Sequence, residues 1–225
     1  LVRDMVDVFA YSGVELEIIE SDACCGMPKF ELGDLDSVQR FADANIAEMS
    51  NFVEEGYLIT APIPSCVLMF RKELPLLLAE NDMVKRVSSA VCDPFELLMK
   101  LHKNDNFNTN FARPLGRIAY HAPCHQRVQN IGYKTKEVLE LVPDTNVSVI
   151  ERCSGHDGTY AVKTESYSHA KKICRPVVRV INESKPDIYI SDCPMAFELI
   201  DQDTEYDTTF KSAFSALKFA YGVER

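Results

Sequence analysis

The sequence predicts an α/β protein with parallel sheets, assembled from two copies of one unit. Short apolar segments typical of strands alternate with longer amphipathic segments typical of helices, as in parallel α/β units. One cysteine pattern also occurs twice: Cys24 and Cys66 are 42 positions apart, and Cys153 and Cys193 are 40 positions apart. The offset between the copies is 129 residues at the first cysteine and 127 at the second, so we interpret the chain as an internal duplication.

The first half is predicted to contain two strands between helices. Val2, Met5, Val6 and Phe9 form one apolar face of a helix, and Asp34 or Asp36 is a suitable N-cap for a long second helix. In chain order, the predicted elements are a helix over 1–13, a strand over 14–19, a helix from 34 or 36 to 54, a strand over 57–60, a helix from about 67 and a helix over 84–103.

The second half repeats this scheme after a polar, asparagine-rich segment. Residues 103–114 resemble a linker, which divides the chain into predicted units 1–108 and 109–225. In chain order, the second unit is predicted to contain a strand over 116–120, a helix over 133–142, a strand over 147–150, a helix over 163–184 and a strand over 187–190. Pro176 is expected to kink or divide the long helix, because proline cannot donate a backbone hydrogen bond.

Six of the eight cysteines follow a predicted strand closely. They are Cys24, Cys25, Cys66, Cys124, Cys153 and Cys193. Ligands of open α/β sheets bind at the carboxyl ends of the strands, so this arrangement favours a common site in each half. Thiolates that converge from distant loops usually hold a soft metal or an iron–sulfur cluster.

The remaining cysteines and the first cysteine pair have different interpretations. Cys92 and Cys174 lie within helical patterns and are interpreted as buried packing residues. Cys24 and Cys25 precede Gly26, which permits close backbone approach to a cofactor, and are interpreted as ligands.

Three histidines lie close to the cysteines of the second half. His121 and His125 flank Cys124 and are either ligands or hydrogen-bond donors to the ligand loops. His156 lies between two glycines and is a candidate ligand or proton donor, or a plain turn residue. Our predicted metal ligands in this half are Cys124, Cys153, Cys193, His156 and His125.

Composition excludes several classes of function. The net charge of −10 leaves no basic surface for phosphates, so we predict no nucleic-acid partner. The longest apolar runs are too short to span a bilayer. The sequence shows no nucleophile elbow, phosphate loop or complete dinucleotide fingerprint, so catalysis by side chains is not predicted.

The eight cysteines lack the spacing of a secreted disulfide scaffold, which predicts a cytoplasmic protein with free thiols. No signal peptide is visible in the first residues. Because the sequence starts at Leu1 and not at an initiator Met, we expect it to be part of a longer polypeptide.

Five short stretches carry a resemblance to a known family. They are Ala23–Pro28, Ser65–Cys66, Tyr120–His125, Cys153–Thr159 and Ser191–Pro194. They resemble the cysteine-rich CCG-domain iron–sulfur proteins, a family of Fe-S oxidoreductases that includes subunits of heterodisulfide reductase and of anaerobic glycerol-3-phosphate dehydrogenase. The resemblance implies two Rossmann-like halves related by duplication, each able to hold a [4Fe-4S] cluster or a metal, and an electron-transfer role.

The chain departs from the family pattern at three positions. Met69 and Ala196 occupy the places of the last cysteine in each half, and Ser154 replaces the second cysteine of the second pair. The pattern also places a leading cysteine of the first half about five residues before Leu1, together with an N-terminal ferredoxin-like segment.

The resemblance implies an electron-transfer subunit that works with a flavin dehydrogenase subunit and passes electrons to a quinone or another acceptor. Such a subunit would be cytoplasmic or peripheral on the inner face of the membrane, and it would be a redox subunit of an oxidoreductase complex rather than its catalytic subunit. Two alternatives remain open at this point. The same fold could be a cluster-less interaction module, or it could be a zinc-binding protein, since three cysteines and one histidine are an ordinary zinc set.

Overall fold

The computed structural model describes residues 1–21 and 23–223, which form two compact units. The sheet unit comprises Leu1–Leu16 together with the chain from Phe95 onward, and the helical unit comprises Glu17–Pro94. These units differ from the predicted division at residue 108. Phe9 and Phe95 both pack near Phe214 in one core, so the first helix and residues 95–108 join the second half of the chain.

The sheet unit is built on an open sheet of three parallel strands. The strands are β1 (Gly116–His121), β2 (Thr145–Ile150) and β3 (Ile188–Ser191), in the order β2-β1-β3. All three were predicted to within about two residues, and the α/β class is confirmed for this unit. The structure does not confirm that the two halves are duplicated Rossmann-like folds.

Helices cover both faces of this sheet. One core lies on the side of Ile118 and Tyr120, and the other lies on the side of Ala119 and Tyr189, because successive residues of a strand point to opposite faces. The first core is covered by α1 (Val2–Tyr11), α7 (Pro94–Lys103), α9 (Lys134–Leu139) and α12 (Ala213–Ala220), and the second by α10 (Thr164–Ser184) and α11 (Pro194–Asp201). A short helix, α8 (Cys124–Arg127), follows β1.

The predicted long helix around Pro176 is one continuous helix, α10, and is not divided. The predicted linker over 103–114 lies within the sheet unit, whereas the two compact units separate between Pro94 and Phe95. Beyond α7 this segment has no regular structure, but Phe107 is buried and the ring of Phe111 stacks on that of Tyr221 at 4.7 Å. Aromatic residues in the polar segment therefore attach it to the sheet unit.

The helical unit consists of helices around a core of its own. They are α2 (Met27–Glu31), α3 (Leu35–Glu54), α4 (Pro64–Leu68), a π-helical turn (Met69–Glu73), α5 (Leu74–Leu77) and α6 (Asp82–Ala90). As predicted, Asp34 caps α3, accepting a hydrogen bond from the backbone N–H of Ser37 at 3.2 Å. Within the described residues no helix is both long and apolar enough to cross a membrane.

Two strands predicted in the first half are wrong. Residues 14–19 form no strand, and residues 57–60 contribute only a single parallel bridge between Ile59 and Val91. The alternating pattern of residues 14–19 favours an extended backbone, but a strand needs a partner, and none of the described residues pairs with this segment. The predicted helix over 84–103 is two helices, since the backbone at Val91 forms a bridge with Ile59 and Pro94 starts a new helix.

Candidate metal centre

Each strand of the sheet is followed by one cysteine at its carboxyl end. His121, Ile150 and Ser191 end their strands, and the strand register pairs His121 with the other two. Cys124 and Cys153 each come three residues after the last residue of their strand, and Cys193 comes two residues after the last residue of its strand. The predicted positions of these three cysteines after strands are therefore confirmed, although their role as ligands stays a prediction.

The thiols of Cys124 and Cys153 are in contact. The Cys153 thiol donates a hydrogen bond to the sulfur of Cys124, which lowers the pKa of Cys124 to about 5 and raises that of Cys153. The guanidinium of Arg127 contributes to the lowering, since its Nη2 lies 3.6 Å from the Cys124 Sγ. Both cysteines are exposed, so this thiolate–thiol pair faces solvent.

Cys193 completes the group from the third strand. It is half-buried and directly precedes α11, whose first residue is Pro194. Burial raises the pKa of its thiol, and negative charge on Asp192 and Cys124 raises it further. Cys193 is thus close enough to Cys124 for their charges to interact, as convergence of the three loops requires.

Gly155 allows the loop of Cys153 to pack tightly against α10. Its φ is +80°, and a Cβ at this position would lie 2.3 Å from the carbonyl oxygen of Ala170. Its backbone N–H donates to the Sγ of Cys153 at 3.3 Å. A glycine is therefore required both for the backbone conformation and for the close approach that orients this sulfur.

His121 connects the loops of the other two strands and is not a candidate ligand. Its Nε2 is 2.9 Å from the carbonyl oxygen of Arg152, and its Nδ1 is 3.0 Å from the Oγ of Ser191. The side chain is 2% exposed, and burial lowers its pKa to about 4. Both ring nitrogens of His121 have hydrogen-bond partners within the protein, so neither is available to bind a metal.

Asp192 forms a second buried polar centre beside Cys193. Its Oδ2 accepts hydrogen bonds from the Tyr120 hydroxyl at 2.7 Å, the Thr135 hydroxyl at 2.6 Å and the Gln126 side-chain amide at 3.3 Å. Burial raises the pKa of this carboxyl group, and these hydrogen bonds oppose the rise. Because Gln126 belongs to the helix that Cys124 begins, Asp192 links the loops of Cys124 and Cys193.

The candidate ligands His125 and His156 lie near this group and are partly buried. His125 contributes to the lowered pKa of Cys124, and burial together with the charge of His125 lowers the pKa of His156. The two imidazoles are therefore close enough to affect each other and the Cys124 sulfur. Their role as ligands stays a prediction.

The helical unit brings together the three cysteines predicted for the first half. The thiol of Cys25 donates a hydrogen bond to the sulfur of Cys66, which raises the pKa of Cys25 and lowers that of Cys66. Cys24 is exposed and adjacent, and its charge opposes the ionisation of Cys66. Contrary to the prediction, these cysteines do not follow strands, because Cys66 lies inside α4 and Cys24 and Cys25 lie in a loop before α2.

Asn45 on α3 fixes the backbone of the Cys24 loop. Its Nδ2 donates to the carbonyl oxygen of Cys24 at 3.0 Å, and its Oδ1 accepts from the Ser21 hydroxyl at 2.9 Å. At Gly26, with a φ of +96°, a Cβ would lie 3.6 Å from the Cε of Met69. Met69, at the position where the family resemblance leads us to expect a cysteine, is a fully buried packing residue against this loop.

The chemistry of the donor set fits a thiolate-bound group. Within residues 1–21 and 23–223, no three Cys, His, Asp or Glu side chains are already arranged as a metal site. Each unit nevertheless contains two thiols in contact and a third on an adjacent residue or loop. Soft thiolates are the ligands of iron–sulfur clusters and of zinc. Ala196 is buried and provides no ligand, and Ser154 is buried beside Cys153.

Several residues of the site were not identified from the sequence. Arg127, Ser191, Asp192 and Asn45 had no role assigned from the sequence alone. Asn45 is a polar residue at a core-facing position of an amphipathic helix. Ser191 ends the buried strand β3 and Asp192 follows it, so a polar residue at a position expected to be apolar was the available signal. The packing interpretation of Cys92 and Cys174 is confirmed, since both are buried.

Comparison with known sequences gives the class of the protein. The sequence profile of the CCG cysteine-rich domain matches residues 2–71 and 118–195. These two stretches cover more than half of the chain and contain the six cysteines described above, so the protein belongs to the cysteine-rich CCG-domain family. The resemblance inferred from the sequence motifs is confirmed.

Three relatives illustrate the range of this similarity. A subunit of the anaerobic glycerol-3-phosphate dehydrogenase of Escherichia coli K12 is 28% identical over 209 residues, which are 91% of this chain and 51% of the relative. Lactate utilization protein A of Halalkalibacterium halodurans is 27% identical over 196 residues, covering 85% of this chain and 78% of the relative. An uncharacterized iron-sulfur protein of Methanocaldococcus jannaschii is 28% identical over 195 residues, which are 85% of this chain and 36% of the relative. The chain therefore spans about half the length of the dehydrogenase subunit that it matches.

Proposed function

We propose that this chain is part of an electron-transfer subunit that holds an iron–sulfur cofactor through cysteines of its sheet unit. The observation that carries the proposal is the delivery of Cys124, Cys153 and Cys193 to one sheet edge by three adjacent parallel strands. Membership in the CCG family and similarity to an iron-sulfur protein and to a dehydrogenase subunit support it. A bound cluster would supply one-electron transfer.

The residues around the three sulfurs would bind and tune the cofactor. Cys124 is already a thiolate at neutral pH, so it needs no proton acceptor before it binds a metal. Arg127 places a positive charge beside this sulfur, which offsets the negative charge that thiolates bring to a cluster. The exposure of Cys124 and Cys153 allows a redox partner to approach the site closely.

We propose His156 as the fourth ligand of this site, with His125 as the second candidate. Ser154 and Ala196 replace the cysteines that the family pattern would supply, and neither is a soft donor. The glycines on both sides of His156 and its electrostatic contact with His125 support a fold-back of this loop. A position left open for a substrate or water is the third alternative.

We propose a second thiolate site at Cys24, Cys25 and Cys66 in the helical unit. The hydrogen bond between Cys25 and Cys66 and the adjacent Cys24 support it. The two stretches matched by the family profile also support a duplication of the cysteine pattern, with one copy in residues 1–108 and one in residues 109–225.

The proposed cluster is of the [4Fe-4S] type, and the proposed complex contains a flavin dehydrogenase subunit and a ferredoxin-like segment. Electrons would pass to a quinone or another acceptor, at the inner face of the cell membrane or in the cytoplasm. The dehydrogenase subunit among the relatives supports a complex of this kind. Zinc binding and a cluster-less scaffold are the competing functions, and the replacements at Met69, Ser154 and Ala196 favour the scaffold.

Anaerobic purification of the full-length protein tests the proposal. We expect iron and acid-labile sulfide in equal amounts, and a loss of iron when Cys124, Cys153 or Cys193 is replaced by serine. A Cys174→Ser variant is the matched control, because this cysteine is buried away from the site in the core beside Val177. Zinc without acid-labile sulfide would support the zinc-binding alternative. A protein that contains neither iron nor zinc would support the cluster-less scaffold.

A further inference from the structure

His121 is the last residue of the central strand and lies between the loops of Cys153 and Cys193. The Arg152 carbonyl that it contacts directly precedes Cys153, and the Ser191 hydroxyl on its other side comes two residues before Cys193. Cys124 follows His121 by three residues. One imidazole ring therefore contacts the segments that lead to all three cysteines.

The directions of these hydrogen bonds follow from their partners. A carbonyl oxygen only accepts, so the Nε2 of His121 carries the proton that it shares with Arg152 at 2.9 Å. The Nδ1 is then an acceptor, and the Ser191 hydroxyl donates to it at 3.0 Å. The Ser191 oxygen in turn accepts from the backbone N–H of Cys193 at 3.3 Å. A directed chain thus runs from the Cys193 amide through Ser191 and His121 to the loop of Cys153.

Packing alone gives no reason for a histidine at this position. The ring is 2% exposed, and β1 is otherwise buried by apolar side chains from Ile118 to Tyr120. A buried imidazole is costly unless both nitrogens have partners, whereas a branched apolar residue would fill the space without that requirement. The partners found are the backbone and side-chain groups that set where two cysteine loops begin.

We propose that His121 is a positioning residue, which holds the three cysteine loops at the separation needed for one thiolate-bound group. The inference rests on the proposed function only for the identity of that group. The separation of the loops is a property of the protein itself. Ser191 extends the same role to Cys193, and neither residue binds the metal.

The test measures the separation of the sulfurs without any metal. In the metal-free full-length protein, dibromobimane bridges two thiols only when they are close together, and peptide mass spectrometry identifies the Cys124–Cys153 product. We expect the wild type and a His169→Gln control to form this product equally, since His169 is exposed on α10. His121→Phe should lower its yield about tenfold, and His121→Gln, which keeps one donor and one acceptor, should restore most of it.

Co²⁺ binding is the second measurement, with thiolate-to-cobalt charge-transfer absorbance as the signal. We expect His121→Phe and Ser191→Ala to weaken Co²⁺ binding about 10- to 100-fold. Unchanged bridging in His121→Phe, or equal bridging in the Phe and Gln variants, would overturn the inference. If His121→Phe does not fold, Ser191→Ala decides, and unchanged Co²⁺ affinity in that variant would overturn it. A wild type that forms the bridge but binds neither Co²⁺ nor iron would refute the metal site while leaving the positioning role.

Discussion

The guanidinium of Arg127 lies against the sulfur of Cys124, with 3.6 Å between Nη2 and Sγ. Its Nη1 is 4.0 Å from a carboxylate oxygen of Glu151, and its buried Nε has no hydrogen-bond partner among the described residues. The guanidinium therefore lies between the Cys124 sulfur and the Glu151 carboxylate. The hydrogen bond from Cys153 and, after it, the charge of Arg127 make Cys124 the most acidic thiol of the sheet-unit group and the expected first contact of an incoming metal.

Replacing Arg127 by glutamine is expected to raise the pKa of Cys124 from about 5. The thiolate is the form that reacts with iodoacetamide, so a rise of about one pKa unit would slow alkylation at pH 5 about fivefold. Peptide mass spectrometry of the metal-free protein measures the rate at Cys124. Arg117→Gln is the control, because Arg117 pairs with Asp187 at the other end of β1. An identical pH profile in both variants would contradict the assigned role of Arg127.

Gly155→Ala is expected to remove metal from the sheet unit and to lower the free energy of unfolding. The positive φ alone costs about 1–2 kcal/mol for alanine, and the overlap with the Ala170 carbonyl adds to this cost. Gly132→Ala separates the two effects, since Gly132 also has a positive φ of +78° but meets nothing closer than 3.7 Å. Chemical denaturation and iron content are the measurements. Equal losses in both variants would show that the contact with α10 is unimportant.

The stability of the metal-free protein is expected to fall between pH 7 and pH 4 because of His121. Its pKa is about 4 when folded and about 6.5 when unfolded, so the unfolded state binds more protons in this window. The contribution of His121 to the free energy of unfolding is fully present above pH 6.5. It is lost as the pH falls toward 4, and the total loss is about 3 kcal/mol. In His121→Gln this part of the pH dependence should be absent. Denaturation curves at several pH values measure it, and parallel curves for the two proteins would contradict the prediction.

Asn45→Ala is expected to loosen the Cys24 loop of the helical unit. The variant leaves the carbonyl of Cys24 and the Ser21 hydroxyl without this partner, at a cost of about 1 kcal/mol for each lost hydrogen bond. Bridging of Cys25 to Cys66 by dibromobimane should decrease in parallel with stability. Asn51→Ala on the exposed side of the same helix is the control and should change neither. Equal bridging in both variants would show that α2 alone positions the loop.

The strands of the sheet unit could be predicted from sequence because they are short, apolar and bounded by clear signals. Gly116 begins β1 and Pro123 follows its end, while Glu151 follows β2 and Asp192 follows β3. The alternating segment over 14–19 carried an equally good local signal but has no partner strand among the described residues. Pairing between distant segments decides whether an extended segment becomes a strand, and local patterns do not contain that information.

The cysteines of the site could be identified from sequence, whereas the residues that hold them could not. Cysteine spacing and the glycines after Cys25 and Cys153 are local features, and they indicated which segments carry the candidate ligands. The hydrogen-bond partners of His121 are 31 and 70 residues away along the chain. The local motif therefore could not indicate that His121 links two loops and is not itself a ligand. The Asp192 network extends over similar separations, of 57 to 72 residues.

The sheet unit is assembled from two stretches of chain, with the whole helical unit between them. Helix α1 packs on α12, and Lys218 pairs with Asp4 and Asp7 near the opposite end of the sequence. During synthesis, the helical unit can therefore fold as soon as it leaves the ribosome, whereas α1 must wait until α12 has been translated. Until then the apolar face of α1, with Met5, Val8 and Phe9, lacks the α12 side chains that complete its core.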